Sequence, residues 1–255
     1  MIKAHFNKLL ILAICLFASS ANALNQEHRN MVISFIEAVK NNNRAHVANY
    51  ISYPLGRDLP IPSIKNKRQF LERYNEVFDE NLIKMIVDSD LEKDWAAMGW
   101  RGIMLGNGQL WLDYDGKILS INHQSKTEKT IKNKLMKVQK NTLHQSVSHY
   151  AEPILEWQTK KFRIRIDDLG KQKYRYVAWV VNKKTSEKPD LIIFDGEVTL
   201  DGSGGNHNYT FTNGIYQYKC FVNIIGEFDT PAGELNVYKN NKLILSDPVV
   251  KVLGE

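Results

Sequence analysis

Apolar side chains recur along the first third of the chain at helical spacing. Met31, Ile33, Phe35, Ile36 and Val39 predict a helix from Gln26, closed by the asparagine run at 41 to 43. Ala45, Val47, Ala48 and Ile51 predict a second, shorter helix. Prolines at 54, 60 and 62 then bar a helix and suit an extended edge strand or a crossing loop. Asn66 can cap a helix through "KRQFLERYNEVF", whose Phe70, Leu71, Tyr74, Val77 and Phe78 make one stripe. Asp79 can cap another through "ENLIKMIVDS", as a kinked or broken continuation.

The period then changes. "RGIMLGNGQLWLDYDGKILSIN", residues 101 to 122, holds short apolar runs separated by Asn107-Gly108 and Asp115-Gly116, which read as two-residue hairpin turns. Helices followed by an antiparallel meander predict an α+β domain over residues 24 to 124. "KTEKTIKNKLMKVQK" predicts a basic, partly helical, solvated linker within 125 to 152. Beyond it come "KFRIRI", "YRYVAWVV", "DLIIF", "EVTL", "NYTFT", "YQYKCFVNII", "GELNVY" and "KLILSDPVVKV". These alternating runs, with Asn240-Asn241 as a further hairpin turn, predict an all-β sandwich or barrel over residues 153 to 255.

The first 23 residues belong to neither domain. Lys3 and Lys8, an apolar core from Leu9 to Phe17 and the small-residue end Ala21-Asn22-Ala23 form the pattern of a signal peptide cut after Ala23. Export to the periplasm, or secretion, is the expectation. The apolar core is about half of what a membrane-spanning helix needs. Cys15 follows Ile14, where lipidation signals place a small residue. Without the leader, Cys220 is the one cysteine, so no internal disulfide is expected and the thiol reads as buried. Lys3 and Lys8 also account for two of the six net positive charges. The lysine run at 126 to 140 carries no arginine and no aromatic to stack on bases, so nucleic acid is not an expected partner.

The blocks "ANYISYPL", "IKNKRQFLERYNEVFD" and "WRGIMLGNGQLWLDYDGKILSIN" resemble exported bacterial proteins with an NTF2-like, or cystatin-like, fold, over residues 27 to 123. The resemblance implies a cone of helices packed on a curved antiparallel sheet around a central cavity. It implies no fixed activity, since members use that cavity as an enzyme site, a ligand pocket or a core. The segments "PILEWQTKKFRIRIDDLGKQKYRYVAWV" and "KPDLIIFDGEVTLDGSGGNHNYTFTNGIYQYK" resemble an uncharacterised β-domain of other small exported bacterial proteins.

Enzymes of the NTF2-like superfamily place an aspartate or histidine, sometimes with a tyrosine, inside the cone. On that resemblance the pocket candidates are Tyr50, Tyr53, Arg101, Trp111 and Asp113. Strand parity puts Gln109, Trp111 and Asp113 on one face and Leu110 and Leu112 on the other. Were Trp111 to face the cavity, Asp113 would sit at its rim as a base; were the leucines to face it, the pocket would be apolar and Asp113 solvated. His46 and His123 have no polar partner at a telling spacing.

Other chemistries lack their residues. His144 and His149 are five apart, beside Glu152, and helical zinc sites prefer four. "DGSGGNHNY", residues 201 to 209, lacks the lysine and following helix of a phosphate loop, and Asp201 with Asn206 is too sparse for calcium. No Gly-x-Ser-x-Gly is present. No catalytic residue, metal or cofactor is expected. The Tyr-Arg alternation of "YRYVAW" would suit either a sandwich core or an exposed protein-binding face.

The expectation is an exported, soluble, non-catalytic two-domain binding protein of the bacterial envelope. It would recognise a protein or a small-molecule ligand, an inhibitor or immunity protein being one variant, and the NTF2-like part is compatible with a homodimer. The alternative is a lyase, isomerase or hydrolase using the cone, marked by a buried Asp113 or His123 beside Tyr53. A cavity filled by Met104, Leu110 and Leu112 would count against it. A structural envelope protein is a third reading.

Overall fold

The computed structural model describes residues 23–202, 204–227 and 229–253. The leader, including Cys15, lies outside the described residues up to position 22. Five helices come first: α1 (Gln26–Lys40), α2 (Arg44–Tyr50), α3 (Lys67–Glu72), α4 (Tyr74–Val77) and α5 (Glu80–Val87). Asn66 and Asp79 cap as their sequence positions predict, their side chains accepting from the backbone N–H of Gln69 and Leu82. Arg73 breaks the third helix from the fourth. The proline-rich stretch between α2 and α3 is a crossing loop, held by a bridge between Leu55 and Ile64.

Four short strands follow, β1 (Trp95–Ala97), β2 (Ile103–Leu105), β3 (Leu110–Leu112) and β4 (Ile118–Ile121), in that order across one antiparallel sheet. Leu105 pairs with Leu110 and Leu112 with Ile118, so four and five residues form the connections where two-residue turns were expected. Ile103, Leu105, Leu110, Leu112, Ile118 and Ile121 are buried against Val32, Phe35, Phe70, Leu82 and Ile86 of the helices.

Helix α6 (Lys126–Thr142) leads to the second body, made of β5 (Glu152–Thr159), β6 (Phe162–Asp168), β7 (Tyr174–Val180), β8 (Leu191–Leu200), β9 (His207–Asn213), β10 (Tyr216–Val222), β11 (Gly233–Lys239) and β12 (Lys242–Val252). Each strand pairs antiparallel with the next, and β12 returns to β5, closing an eight-stranded barrel. A barrel of eight strands is just wide enough for side chains, or one small ligand, to fill it. Trp157, Ile164, Ile166, Tyr176, Phe211 and Leu235 pack within it.

Two glycines make that interior fit. A methyl group on Gly196 would lie 2.1 Å from the Phe211 ring, and one on Gly233 would lie 2.4 Å from the Trp157 ring. Gly196 follows Asp195, whose φ of 57° marks a bulge where β8 slips against β7.

The expected fold class, an NTF2-like cone followed by an all-β sandwich or barrel, is therefore corrected to a short-stranded sheet under helices followed by a closed barrel. The first sheet has strands of only three or four residues, too short to curl around a cavity, and its inner face is filled by the helices. The second body is one continuous meander that closes on itself rather than two stacked sheets.

Helix α6 also departs from a solvated linker. Ser125 caps its start, Oγ accepting from the Glu128 N–H at 2.9 Å. The Glu128 carboxylate is buried and receives Arg57 Nε at 2.6 Å, while Arg57 also donates to the carbonyls of Ile121 and His123. Near its other end, Met136 and Leu143 pack with Val147, Tyr150, Val177 and Trp179 on the outside of the barrel. The helix thus grips both bodies. No helix among the described residues is long and apolar enough to cross a membrane.

Candidate functional site

Of the five pocket candidates, the structure brings only Arg101 and Trp111 together, the guanidinium standing 5.8 Å from the indole ring. Trp111 pairs with Met104 and Ser120 on the outer face of the sheet, while Leu110 and Leu112 face the helices. Asp113 is exposed, and its carboxylate accepts the N–H of Tyr114 within the turn. Tyr53 donates to the Ala48 carbonyl at 3.1 Å, and burial pushes its phenol up to about 12. Tyr50 stacks on His46 beside a shallow hollow that includes Asn49 and Lys117. These residues share no cavity, because the inner side of the sheet is apolar core.

His123 does find a partner: its Nε2 lies 2.8 Å from Asp79 Oδ1, the same oxygen that caps α5. The pair lines a polar hollow of about 520 Å³ with Asp58, Asn81 and Gln109. The nearby Ser125 hydroxyl is spent, donating to the Glu76 carbonyl and accepting from Glu128.

The Tyr-Arg alternation of β7 is not an exposed ladder. Tyr176 points into the barrel, and Arg175 is buried beneath the 145 to 147 turn, donating to the Val147 carbonyl at 2.8 Å. Asp167 bridges Arg165 and Arg175 at 2.6 Å each. Burial raises the Asp167 pKa, and the two guanidinium groups hold it down in part. This network, with Glu156, Gln139 and Tyr150, fastens α6 to the barrel wall.

Of "DGSGGNHNY", residues 201 to 206 connect β8 to β9, and His207, Asn208 and Tyr209 open β9 itself. Asn206 pins it, its Oδ1 accepting from the N–H groups of Ile224 and Ile225 and its amide donating to the Ile225 carbonyl.

The feature that combines space with mixed chemistry lies where the barrel meets the first body. A cleft of about 640 Å³ opens there. Its barrel side carries Leu155, Trp157, Tyr209, Val222 and Val252; its other side carries Arg57, Asp58, Leu59 and Lys132. Strand parity explains the apolar side, since Trp157 and Tyr209 are inward residues near one end of their strands. Lys132, on the face of α6 turned toward the cleft, reaches Glu152 at 2.7 Å and Asp58 at 3.5 Å.

His207 stands at the same mouth, edge-on to Tyr209. Its Nδ1 lies 2.8 Å from the Gly205 carbonyl, which can only accept, so Nδ1 carries the proton and Nε2 of the neutral ring is left as an acceptor. Burial, with Tyr174 and Asp168 nearby, pushes the Tyr209 phenol up to about 12, so it stays a neutral donor.

Such a cleft matches the size and siting of small-molecule pockets, which favour interfaces between bodies and the mouths of barrels. None of its residues is among the five pocket candidates. Arg57 and Asp58 lie in the proline-rich loop, Lys132 in the basic helix and His207 beyond the glycine-rich connection, and only closure of the barrel brings them together. Comparisons of the chain with protein-family models, with curated proteins and with solved structures found no match in any of the three.

Proposed function

We propose that this is an exported, non-catalytic binding protein whose ligand is a small amphipathic molecule seated in the cleft between the barrel mouth and α6. The observation that carries the reading is the juxtaposition in one 640 Å³ space of an apolar floor, Trp157, Tyr209 and Val222, with Lys132, Asp58 and His207. An apolar ligand body would cover the floor, and its polar end would meet the ammonium and the carboxylate at the rim. An enzyme working through the first sheet is disfavoured, because that face holds leucine and isoleucine where a substrate would have to lie. Export rests on the leader pattern of residues 1 to 23.

One observation favours a protein ligand as a second reading. Trp100, Leu200, Ile224 and Ile225 are exposed at the cleft end of the molecule, and Trp100 and Ile225 both approach Gly204. Exposed aromatic and aliphatic side chains grouped in this way suit a partner surface.

The test is native mass spectrometry of the protein purified from the envelope of its source. A chain lacking residues 1 to 23, carrying one small molecule that Lys132→Ala or Trp157→Ala releases without loss of circular dichroism, supports the proposal. A bare chain, or a stoichiometric protein partner lost on Trp100→Ala and Ile224→Ser, overturns the small-ligand reading.

A further inference from the structure

The opposite end of the barrel holds a different cavity. It measures about 220 Å³ and is lined by Phe162, Tyr176, Ala178, Tyr218, Val237 and Leu245 among others. The rim contains one carboxylate, Asp190, already engaged by Lys183 and by the Val180 N–H.

Next to this cavity lies a buried carboxyl group that no basic side chain among the described residues reaches. Tyr209 pairs with Cys220, Cys220 with Leu235 and Leu235 with Asp247, so these four side chains form one inward ring across β9 to β12. Directly opposed residues of antiparallel strands share a face. Asp247 therefore points into the barrel, where it is 3% exposed. It adjoins the cavity through Leu235, its cross-strand partner, and Leu245, two residues earlier on β12.

Its Oδ2 accepts from the Thr159 hydroxyl at 2.7 Å, and among the described residues no hydrogen bond reaches Oδ1 and no lysine, arginine or histidine pairs with it. The two buried arginines of the barrel wall, Arg165 on β6 and Arg175 on β7, are on its outside with Asp167 and Val147. The Tyr176 phenol lines the cavity, is 1% exposed and has no hydrogen-bond partner among the described residues. Burial, with Cys220, Tyr218 and Asp247 close by, raises the Tyr176 pKa well above its ordinary value and keeps it a donor that can also accept.

A buried carboxyl group with one hydroxyl for company and a second oxygen unpartnered among the described residues is a ready acceptor for the charged N–H groups of a cation. An apolar cavity of about 150 Å³ takes a benzene ring. By proportion, about 220 Å³ takes a ring with a side chain of two or three atoms, roughly nine non-hydrogen atoms in all. Phe162, Tyr176 and Tyr218 supply aromatic walls for such a ring.

We propose that this end of the barrel is a binding site for a small aromatic amine in its ammonium form, its charged nitrogen on Asp247 Oδ1 and the Tyr176 hydroxyl, and its ring between the aromatic walls of the cavity. The site is separate from the cleft by α6, and its occupancy does not depend on what that cleft binds.

The test uses 2-phenylethylammonium as probe against the folded chain lacking residues 1 to 23, followed by calorimetry and by methyl shifts of Ala178 and Leu245. Saturable one-to-one binding is expected, weakened about tenfold or more by Asp247→Asn and less by Tyr176→Phe. Phenylacetate, with the same ring and the opposite charge, is expected not to bind. Asp247→Asn also removes an uncompensated charge, so the free variant is expected to melt no lower than the parent, which a purely structural aspartate would not allow. Ala178→Leu fills the cavity without touching Asp247 and is expected to abolish binding. Failure of the parent to bind, undiminished affinity in Asp247→Asn, or equal binding of phenylacetate would each overturn the proposal.

Discussion

At the scale of single residues, local chemistry was readable and long-range partnership was not. Asn66 and Asp79 announce helix starts because a cap needs only its own next three residues. Cys220, alternating with polar neighbours, reads as buried and is so; burial also pushes its thiol well above the ordinary range. A thiol reagent added to the chain without its leader is therefore expected to label Cys220 only after denaturant is added, as followed by absorbance of the released thiolate. By contrast, His123 carries no sign of Asp79, forty-four residues away, and Glu128 looks like a surface residue until Arg57 meets it. Gly196 shows the same limit, since its bare Cα is required by a ring on the next strand. Gly196→Ala is expected to cost about 1 to 3 kcal/mol in urea unfolding, with part recovered when Phe211→Leu is added.

At the scale of elements, the strand pattern was legible where inward positions were uniformly apolar. It faltered at β5, whose buried positions are Pro153, Leu155, Trp157 and Thr159, so that a proline and a hydroxyl blur the alternation. It also divided β8 at Asp195-Gly196, a pair that reads as a turn and serves instead as a bulge. One missed strand and one strand counted twice left the total at eight, but the barrel's closing partner was absent from the reading. The basic helix was the other surprise. Its lysines do face water over much of its length, yet its first turn is fixed by Arg57 and its last turns by the Gln139, Tyr150 and Glu156 contacts. Arg57→Ala would strand the Glu128 carboxylate in a dry site, at a cost of about 3 to 5 kcal/mol in chemical denaturation. Arg57→Met with Glu128→Leu is expected to recover much of that loss.

At the scale of the whole molecule, neither the cleft nor the inner cavity could be read from the sequence, because both exist only once eight strands close and a helix braces them. Closure also sets the response to alkali. Tyr53 and Tyr209 are pushed up to about 12 and Tyr176 is raised well above its ordinary value, whereas an unfolded chain ionises its phenols near 10. Between those values the unfolded state has released protons that the folded state retains, so the slope of stability with pH is negative. Stability present below pH 10 is expected to fall progressively toward about pH 12, measured as urea midpoints. Tyr209→Phe should flatten the fall. Phenolate absorbance should show a late group of tyrosines ionising together with loss of structure.

The seam of the barrel has a consequence for biosynthesis. β12 meets β5 through Val249 with Thr159, Lys251 with Gln158 and Val252 with Trp157, and of the barrel's eight strands β12 is the last to be made. Until it arrives, β5 and β11 each offer a row of unsatisfied amide and carbonyl groups to any passing chain. A nonsense mutation at Lys242 should therefore yield protein that clumps, even though every residue of both proposed sites' aromatic walls would already have been translated.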